Sequence, residues 1–133
     1  VYAYTTVVGG TALNTLSNAE WSVLEVLWQG IGCQLGEVVE ALRPTTAWSR
    51  NTVHTYLTRM EKKRLVTIDR SSEPHTYTAA VTRESCARHE RNNLLNKVYA
   101  GAAGDMIAAF LKDSKITGKE KEKLHKLLDD MEV

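Results

Sequence analysis

No apolar run in this chain approaches the roughly 18 to 20 residues of a membrane span. The N-terminal stretch carries no basic residue ahead of an apolar core. Neither membrane insertion nor a secretory leader is therefore expected. Cysteine is scarce: Cys33 and Cys86 stand far apart with no C-x-x-C spacing, as expected of two reduced thiols in a cytoplasmic protein. Neither sign of charge dominates, since 17 Lys and Arg face 16 Asp and Glu for a formal net charge of +1. With no global basic field, any affinity for nucleic acid must come from local charge. Signatures of catalysis are missing too. There is no G-x-S-x-G, no P-loop and no H-E-x-x-H, and the carboxylates follow helix-surface spacing. The chain is not expected to be an enzyme. His54, His75, His89 and His125 form no H-x-x-x-H pair, and only Cys86 and His89, three apart, share the spacing of a helix face. No metal and no cofactor is expected. Internal repeats and low-complexity tracts are also lacking.

What remains is a composition of ordinary globular type, 43% hydrophobic and 25% charged over 133 residues, enough for one or two small domains. Residues 1–15, VYAYTTVVGGTALNT, differ in texture: VYAYTTVV is β-prone and Gly9-Gly10 breaks it. They read as an N-terminal arm, an added strand or an extraneous start, and carry no functional expectation. Ser17-Asn18-Ala19-Glu20 is a capping box, in which the serine hydroxyl accepts an amide three residues on and Glu20 reaches back. Trp21, Leu24, Leu27 and Trp28 then mark the buried stripe of a first helix, which Gly30 and Gly32 end. Residues 33–35 suit a short strand or turn. A second helix is expected over 37–42, with Val38, Val39 and Leu42 on one side and Pro44 as the stop. Ser49 is a good N-cap for a third helix. Val53, Tyr56, Leu57 and Met60 follow at the spacing of a buried face, and the cations Lys62, Lys63 and Arg64 close the helix at the end its dipole favours. Residues 65–70 and 76–81 are strand-like around a turn at 71–75, a β-hairpin.

From Thr82 onward the chain is helical in texture. A helix over about 83–100 carries Leu94, Leu95, Val98 and Tyr99. Gly101 and Gly104 interrupt. Met106, Ile107, Phe110 and Leu111 form the stripe of a further helix. A second capping box, Thr117-Gly118-Lys119-Glu120, opens a last one with Leu124, Leu127, Leu128 and Met131 at buried spacing. Three such helices in about 50 residues make a poor core of their own. A second copy would cover their stripes, so a homodimer joined by this part is expected. The expected fold is mainly α with a small β-hairpin: a winged helix-turn-helix DNA-binding domain over 16–81 and a helical dimerisation domain over 82–133.

The outward ridge of the third helix departs from the usual Glu/Lys mixture of a solvated face. At about 100° per residue, Asn51, Thr55, Thr58 and Lys62 fall opposite Val53, flanked by Thr52, His54 and Arg59. Threonine is a mediocre helix former, so three on one exposed face lower helicity without structural gain. A helix in a major groove needs such a face, because short hydrogen-bonding groups let the backbone approach base edges. Asn51, Thr52, His54 and Thr55 fit that role, Arg59 and Lys62 fit phosphate contact, and Ser49 is a further candidate for DNA binding. Residues 49–64 hold Arg50, Arg59, Lys62, Lys63 and Arg64 against Glu61, a local charge of +4. The hairpin tip, with Arg70, Ser71, Ser72 and His75, is short enough to lie along a phosphate backbone or minor groove, although Glu73 there repels phosphate.

The stretches LSNAEWSVLEVLW, GEVVEAL and WSRNTVHTYLTRMEKKRLV resemble the penicillinase and methicillin-resistance repressors, the BlaI/MecI family. The resemblance continues through NKVYAGAAGDMIAAFL and TGKEKEKLHKLL, over about residues 15 to 131. It implies a winged-helix N-terminal domain, an intertwined helical dimerisation domain, binding to dyad operator DNA, and repression of a resistance operon. It implies that Asn51, Thr52, His54, Thr55 and Arg59 lie at the DNA surface. Asn51 and His54 stand where relatives often carry Lys or Arg. The family's repressors are inactivated by cleavage in the dimerisation domain once a membrane β-lactam sensor-protease is triggered. The cleaved Asn-Phe bond corresponds here to Ala109–Phe110, with the phenylalanine kept and the asparagine not. Copper-responsive relatives carry paired Cys-x-Cys motifs near the C-terminus, whereas this chain ends LLDDMEV. The expectation is a dimeric cytoplasmic repressor of palindromic operator DNA. The alternatives are a metal- or redox-responsive repressor of the same fold, or a winged-helix module that binds protein.

Overall fold

The computed structural model describes residues 6–8, 11–13 and 15–131. These residues fall into two compact units that part between Asn93 and Leu94. Within the 1–15 arm, β1 (Thr6–Val8) and β2 (Thr11–Leu13) pair antiparallel, with Val7 opposite Ala12. The rest of the arm, Thr15 excepted, lies outside the described residues.

In the first unit, α1 (Asn18–Gln29) opens on the expected capping box. Ser17 Oγ accepts from the Glu20 amide at 3.1 Å, and the Glu20 carboxylate accepts from the Ser17 amide at 2.9 Å. The buried face is rotated from the expected stripe. Val23, Leu24 and Leu27 are buried, while Trp21 and Trp28 lie half-buried on the flank. The indole N–H groups account for this, because a large ring with a polar edge settles where an acceptor is within reach. Trp21 Nε1 donates to Glu25 and Trp28 Nε1 to the Val81 carbonyl. After the helix, Gly32 has φ +64, which glycine adopts without strain.

The residues left open between strand and turn form β3 (Cys33–Gln34). The next helix, α2 (Leu35–Leu42), starts two residues earlier than expected. Glu37 accepts from the Gln34 amide at 2.7 Å, so the cap sits at the strand end itself. Ser49 caps α3 (Arg50–Lys62), its hydroxyl accepting from the Thr52 amide at 3.2 Å. The helix ends through Arg64 at φ 60, which turns the amides of Arg64 and Leu65 back onto the Glu61 and Met60 carbonyls at 2.9 Å each. β4 (Val66–Asp69) and β5 (Thr76–Ala79) form the hairpin, with Ile68 opposite Tyr77. β3 adds to the far side of β5, giving the order β3-β5-β4. Val23, Leu24, Val38, Leu42, Val53, Leu57 and Met60 of the three helices meet Val66, Tyr77, Val81 and Cys86 in one core. Each such side chain contributes on the order of 1.5–3 kcal/mol of hydrophobic stabilisation. Three helices over a three-stranded sheet make a winged helix.

Three helices follow: α4 (Arg83–Tyr99), α5 (Ala103–Asp113) and α6 (Gly118–Asp130). The break between α4 and α5 is made by Ala100 (φ 48) and Gly101 (φ 87), whereas Gly104, expected to interrupt, lies in the first turn of α5. Thr117 and Glu120 form the expected capping box of α6, with amide contacts at 2.9 and 3.1 Å. Neither α5 nor α6 has a buried residue. Leu94, Val98, Ile107, Phe110, Leu127 and Leu128 are exposed, and Leu95, Tyr99, Met106 and Leu124 are half-buried. Among the described residues no helix is long and apolar enough to cross a membrane.

Candidate nucleic-acid interface

The rotation of α3 is fixed from its inner side. Val53, Leu57 and Met60 are locked in the core. Tyr56 stacks on Trp48 with ring centroids 4.7 Å apart, tying the flank of the helix to the segment before it. The opposite side has nowhere to point but solvent. Arg50, Asn51, His54, Thr55, Arg59 and Lys62 are exposed there, as is Ser49, while Thr52 and Thr58 are half-buried.

The hydroxyl groups of this face are already engaged. Thr55 Oγ1 donates to the Asn51 carbonyl at 2.9 Å, and Thr58 Oγ1 donates to the His54 carbonyl. The Ser49 and Thr52 hydroxyls hold each other at 3.1 Å. A threonine bonded back to the preceding turn has committed its proton and keeps its lone pairs and its methyl group. Such a group accepts from the amino groups of adenine or cytosine and packs on a thymine methyl. Asn51 and His54 make no side-chain hydrogen bond among the described residues, so their donors and acceptors are unoccupied.

Charge on the face is shaped by two ion pairs. Lys63 Nζ donates to Glu20 Oε2 at 2.7 Å, across 43 positions of sequence. Burial pushes the Glu20 carboxyl up, but the Lys63 ammonium and the Ser17 hydrogen bonds together outweigh it and hold it below the usual carboxylate range. Arg70 donates through both terminal nitrogens to Glu61, at 2.6 and 2.9 Å. That fork lowers the Glu61 carboxyl and raises the Arg70 guanidinium. Arg50, Arg59, Lys62 and Arg64 make no ion pair among the described residues, so four cations face solvent while the one acid of the helix is neutralised. Arg70, expected at the interface, is paired with Glu61 of α3.

The hairpin tip is held by its own polar groups. Asp69 accepts from the hydroxyl and the amide of Ser71, which keeps its carboxyl below the usual range. Ser72 Oγ donates to the Pro74 carbonyl at 3.2 Å. His75 is half-buried, with Nε2 3.9 Å from Glu73. Arg50, His54, Glu73 and His75 line one cleft of about 380 Å³ between the start of α3 and the hairpin. His75 is thereby brought to the edge of the α3 face. Arg50 was not among the residues picked out from sequence as contacts, although its place directly after the N-cap and its unbalanced charge marked it.

The other expected features lie elsewhere. Cys33 is half-buried, and Cys86 is buried. Burial, then the nearby Glu90 charge, pushes the Cys86 thiol up to about 11, which disfavours the reactive thiolate. Among the described residues no group of three His, Cys, Asp or Glu is placed to hold a metal ion. The Ala109–Phe110 bond lies inside α5, with Ala109 half-buried and Phe110 exposed.

Comparison with known proteins gives a consistent picture. The family model described as penicillinase repressor matches residues 16–130. The chain is 27% identical to the penicillinase repressor of Bacillus licheniformis over 115 residues, covering 86% of this chain and 90% of that protein. It is 25% identical to the methicillin resistance regulatory protein MecI of Mammaliicoccus sciuri over 114 residues, covering 86% and 93%. Among solved structures it is similar to the solution structure of the Bacillus licheniformis BlaI monomeric form in complex with the blaP half-operator. That likeness has a TM-score of 0.48 and 28% identity, and covers 54% of this chain and 88% of the other.

Proposed function

The chain belongs to the penicillinase repressor family, and on that premise we propose that it represses transcription in the cytoplasm as a homodimer on palindromic operator DNA. The family is one of repressors, so the chain is not an enzyme. In the proposed mode α3 lies in the major groove. Asn51, Thr52, His54 and Thr55 meet base edges, and Arg59 and Lys62 hold phosphates. Ser49 stands at the entry of the helix, and His75 approaches from the hairpin. The observation that carries this reading is the solvent face of α3, with its Asn51 and His54 unoccupied and four cations unpaired among the described residues. Two such faces, related by the dyad of a dimer, match half-sites about one helical turn apart or a simple multiple of it.

The second unit supports dimerisation. Leu94, Val98, Ile107, Phe110, Leu127 and Leu128 expose apolar surface that a lone chain leaves in water. Release of repression by a membrane sensor-protease at Ala109–Phe110 is the finer part of the proposal. The exposed Phe110 ring offers a recognition group, and α5 must open locally for a protease to reach the bond. Incubation with the cognate sensor that returns only full-length mass removes this step.

The test of the central reading is duplex binding as a function of salt. Arg59→Ala should weaken all sequences alike and flatten the salt slope by about one unit. Thr55→Ala should relax base preference by about 1–3 kcal/mol for the lost contact. Affinity for random duplex that ignores both salt and Arg59→Ala sinks the DNA reading and favours a protein-binding winged helix.

A further inference from the structure

Arg50 is the first residue of α3, and its side chain lies to one flank of the ridge that carries Asn51 and Thr55. Its Nη1 is 3.7 Å from the place a Cβ on Gly36 would take, so the guanidinium rests against the first turn of α2. Arg50 lines two clefts there. One, of about 390 Å³, holds Glu40, Arg43 and Trp48. The other is the cleft of His54, Glu73 and His75. The acids of both clefts have other partners: Glu40 accepts from Arg43 Nε at 2.7 Å, and Glu73 stands 3.9 Å from His75. Arg50 is exposed and makes no ion pair among the described residues.

The bearing of Arg50 around the helix sets it apart from the other cations. Nine residues separate it from Arg59. That is about two and a half turns, so the two side chains leave α3 on opposite flanks, about 13 Å apart along its axis. The major groove is of similar width, roughly 12 Å. Between the two cations lie Asn51, His54 and Thr55, the groups read above as facing bases. A lone exposed guanidinium has little hold on a free anion. A backbone phosphate is different, because the contacts of the same helix deliver it at high effective concentration. The planar fork of an arginine then takes two of its oxygens.

We infer that Arg50 holds a backbone phosphate on the strand opposite the one that Arg59 holds, so that α3 is clamped from both walls of the groove. The inference rests on the DNA-binding reading above and adds a contact which that reading does not include. Cations on one flank alone leave the helix free to roll about that flank. A cation on each flank fixes the roll, and with it the distance of Asn51, His54 and Thr55 from the base edges.

A half-site is selected with the full-length wild type from a pool of random-sequence duplexes, and its phosphates are replaced one at a time by neutral methylphosphonate. Wild type should lose roughly tenfold in affinity at sensitive positions on both strands. Arg50→Met should flatten the slope of log K against log salt by about one unit and become insensitive to replacement on one strand only. Arg59→Met should become insensitive on the other strand. Arg50→Lys, which keeps the charge, should keep the slope and the sensitivity on both strands. An Arg50→Met protein that stays sensitive on both strands overturns the inference while leaving the DNA reading in place. Arg50→Met and Arg59→Met silencing the same strand overturn it too. A wild type whose duplex binding ignores salt and every replacement overturns the DNA reading itself, and the inference with it.

Discussion

Glu61 and Arg70 lie nine residues apart, and the fork between them decides how much charge reaches the solvent face of α3. Counting charges along residues 49–64 sums Lys63 with the other cations and sets Glu61 against them. In the folded chain Lys63 serves Glu20, and Glu61 is cancelled by Arg70. Replacing Glu61 by Gln should free Arg70 and remove a negative charge at once. Random-duplex affinity should rise, and the slope of log K against log salt should steepen by about one unit. An unchanged slope would place Arg70 out of reach of phosphate. Glu20 gives a second prediction, in pH. Its folded carboxyl titrates below its ordinary value of 4.5, so the contact with Lys63 stabilises the fold above that value and is lost as pH falls through the folded one. In urea unfolding followed by circular dichroism, Glu20→Gln should be less stable than wild type at about neutral pH, and the gap should close at the acid end. A gap that stays constant with pH would show that the pair does not couple to folding.

At the scale of the element, the helices draw their order from two different sources. α3 is a weak helix by composition, with three threonines, two of which bond back to the preceding turn. It is held by the burial of Val53, Leu57 and Met60. α6 is the reverse case: nothing in it is buried, and it begins on the reciprocal contacts of Thr117 and Glu120. Thr117→Ala should therefore cost about 1 kcal/mol of helix stability. The expected readout is lost ellipticity and faster amide exchange confined to residues 118–130, and uniform protection there would refute it. Both capping boxes were legible in sequence, because a cap needs only four residues and their spacing. β3 was not. A strand of two residues has no period to read, and it exists because Tyr77 and Thr76 of β5 offer it a ladder.

For the whole molecule, the question is what covers the second unit. Its stripes are apolar at helical spacing and open to solvent, with Val98 58% and Leu127 59% exposed. Full-length protein should sediment as a dimer. A chain ending after Tyr99, which lacks α5 and α6, should sediment as a monomer, bind a half-site poorly and lose the added affinity of a palindrome. A truncated chain that stays dimeric would move the association surface into the first unit.

The sequence by itself determined what short spacings can carry. It set the helix starts at Ser17, Ser49 and Thr117, the hairpin, the winged-helix order, and the threonine-and-asparagine ridge opposite Val53. Each depends on neighbours within a turn or two of helix, or on the alternation of a strand. Tertiary structure alone decided which side of α1 faces the core, since the indoles of Trp21 and Trp28 turn to acceptors at Glu25 and Val81. It alone joined Lys63 to Glu20, Arg70 to Glu61, and Arg83 to Glu25. A charged side chain carries no mark in sequence of the partner it will meet. That choice is made when packing brings distant segments within the few ångströms over which an ion pair holds.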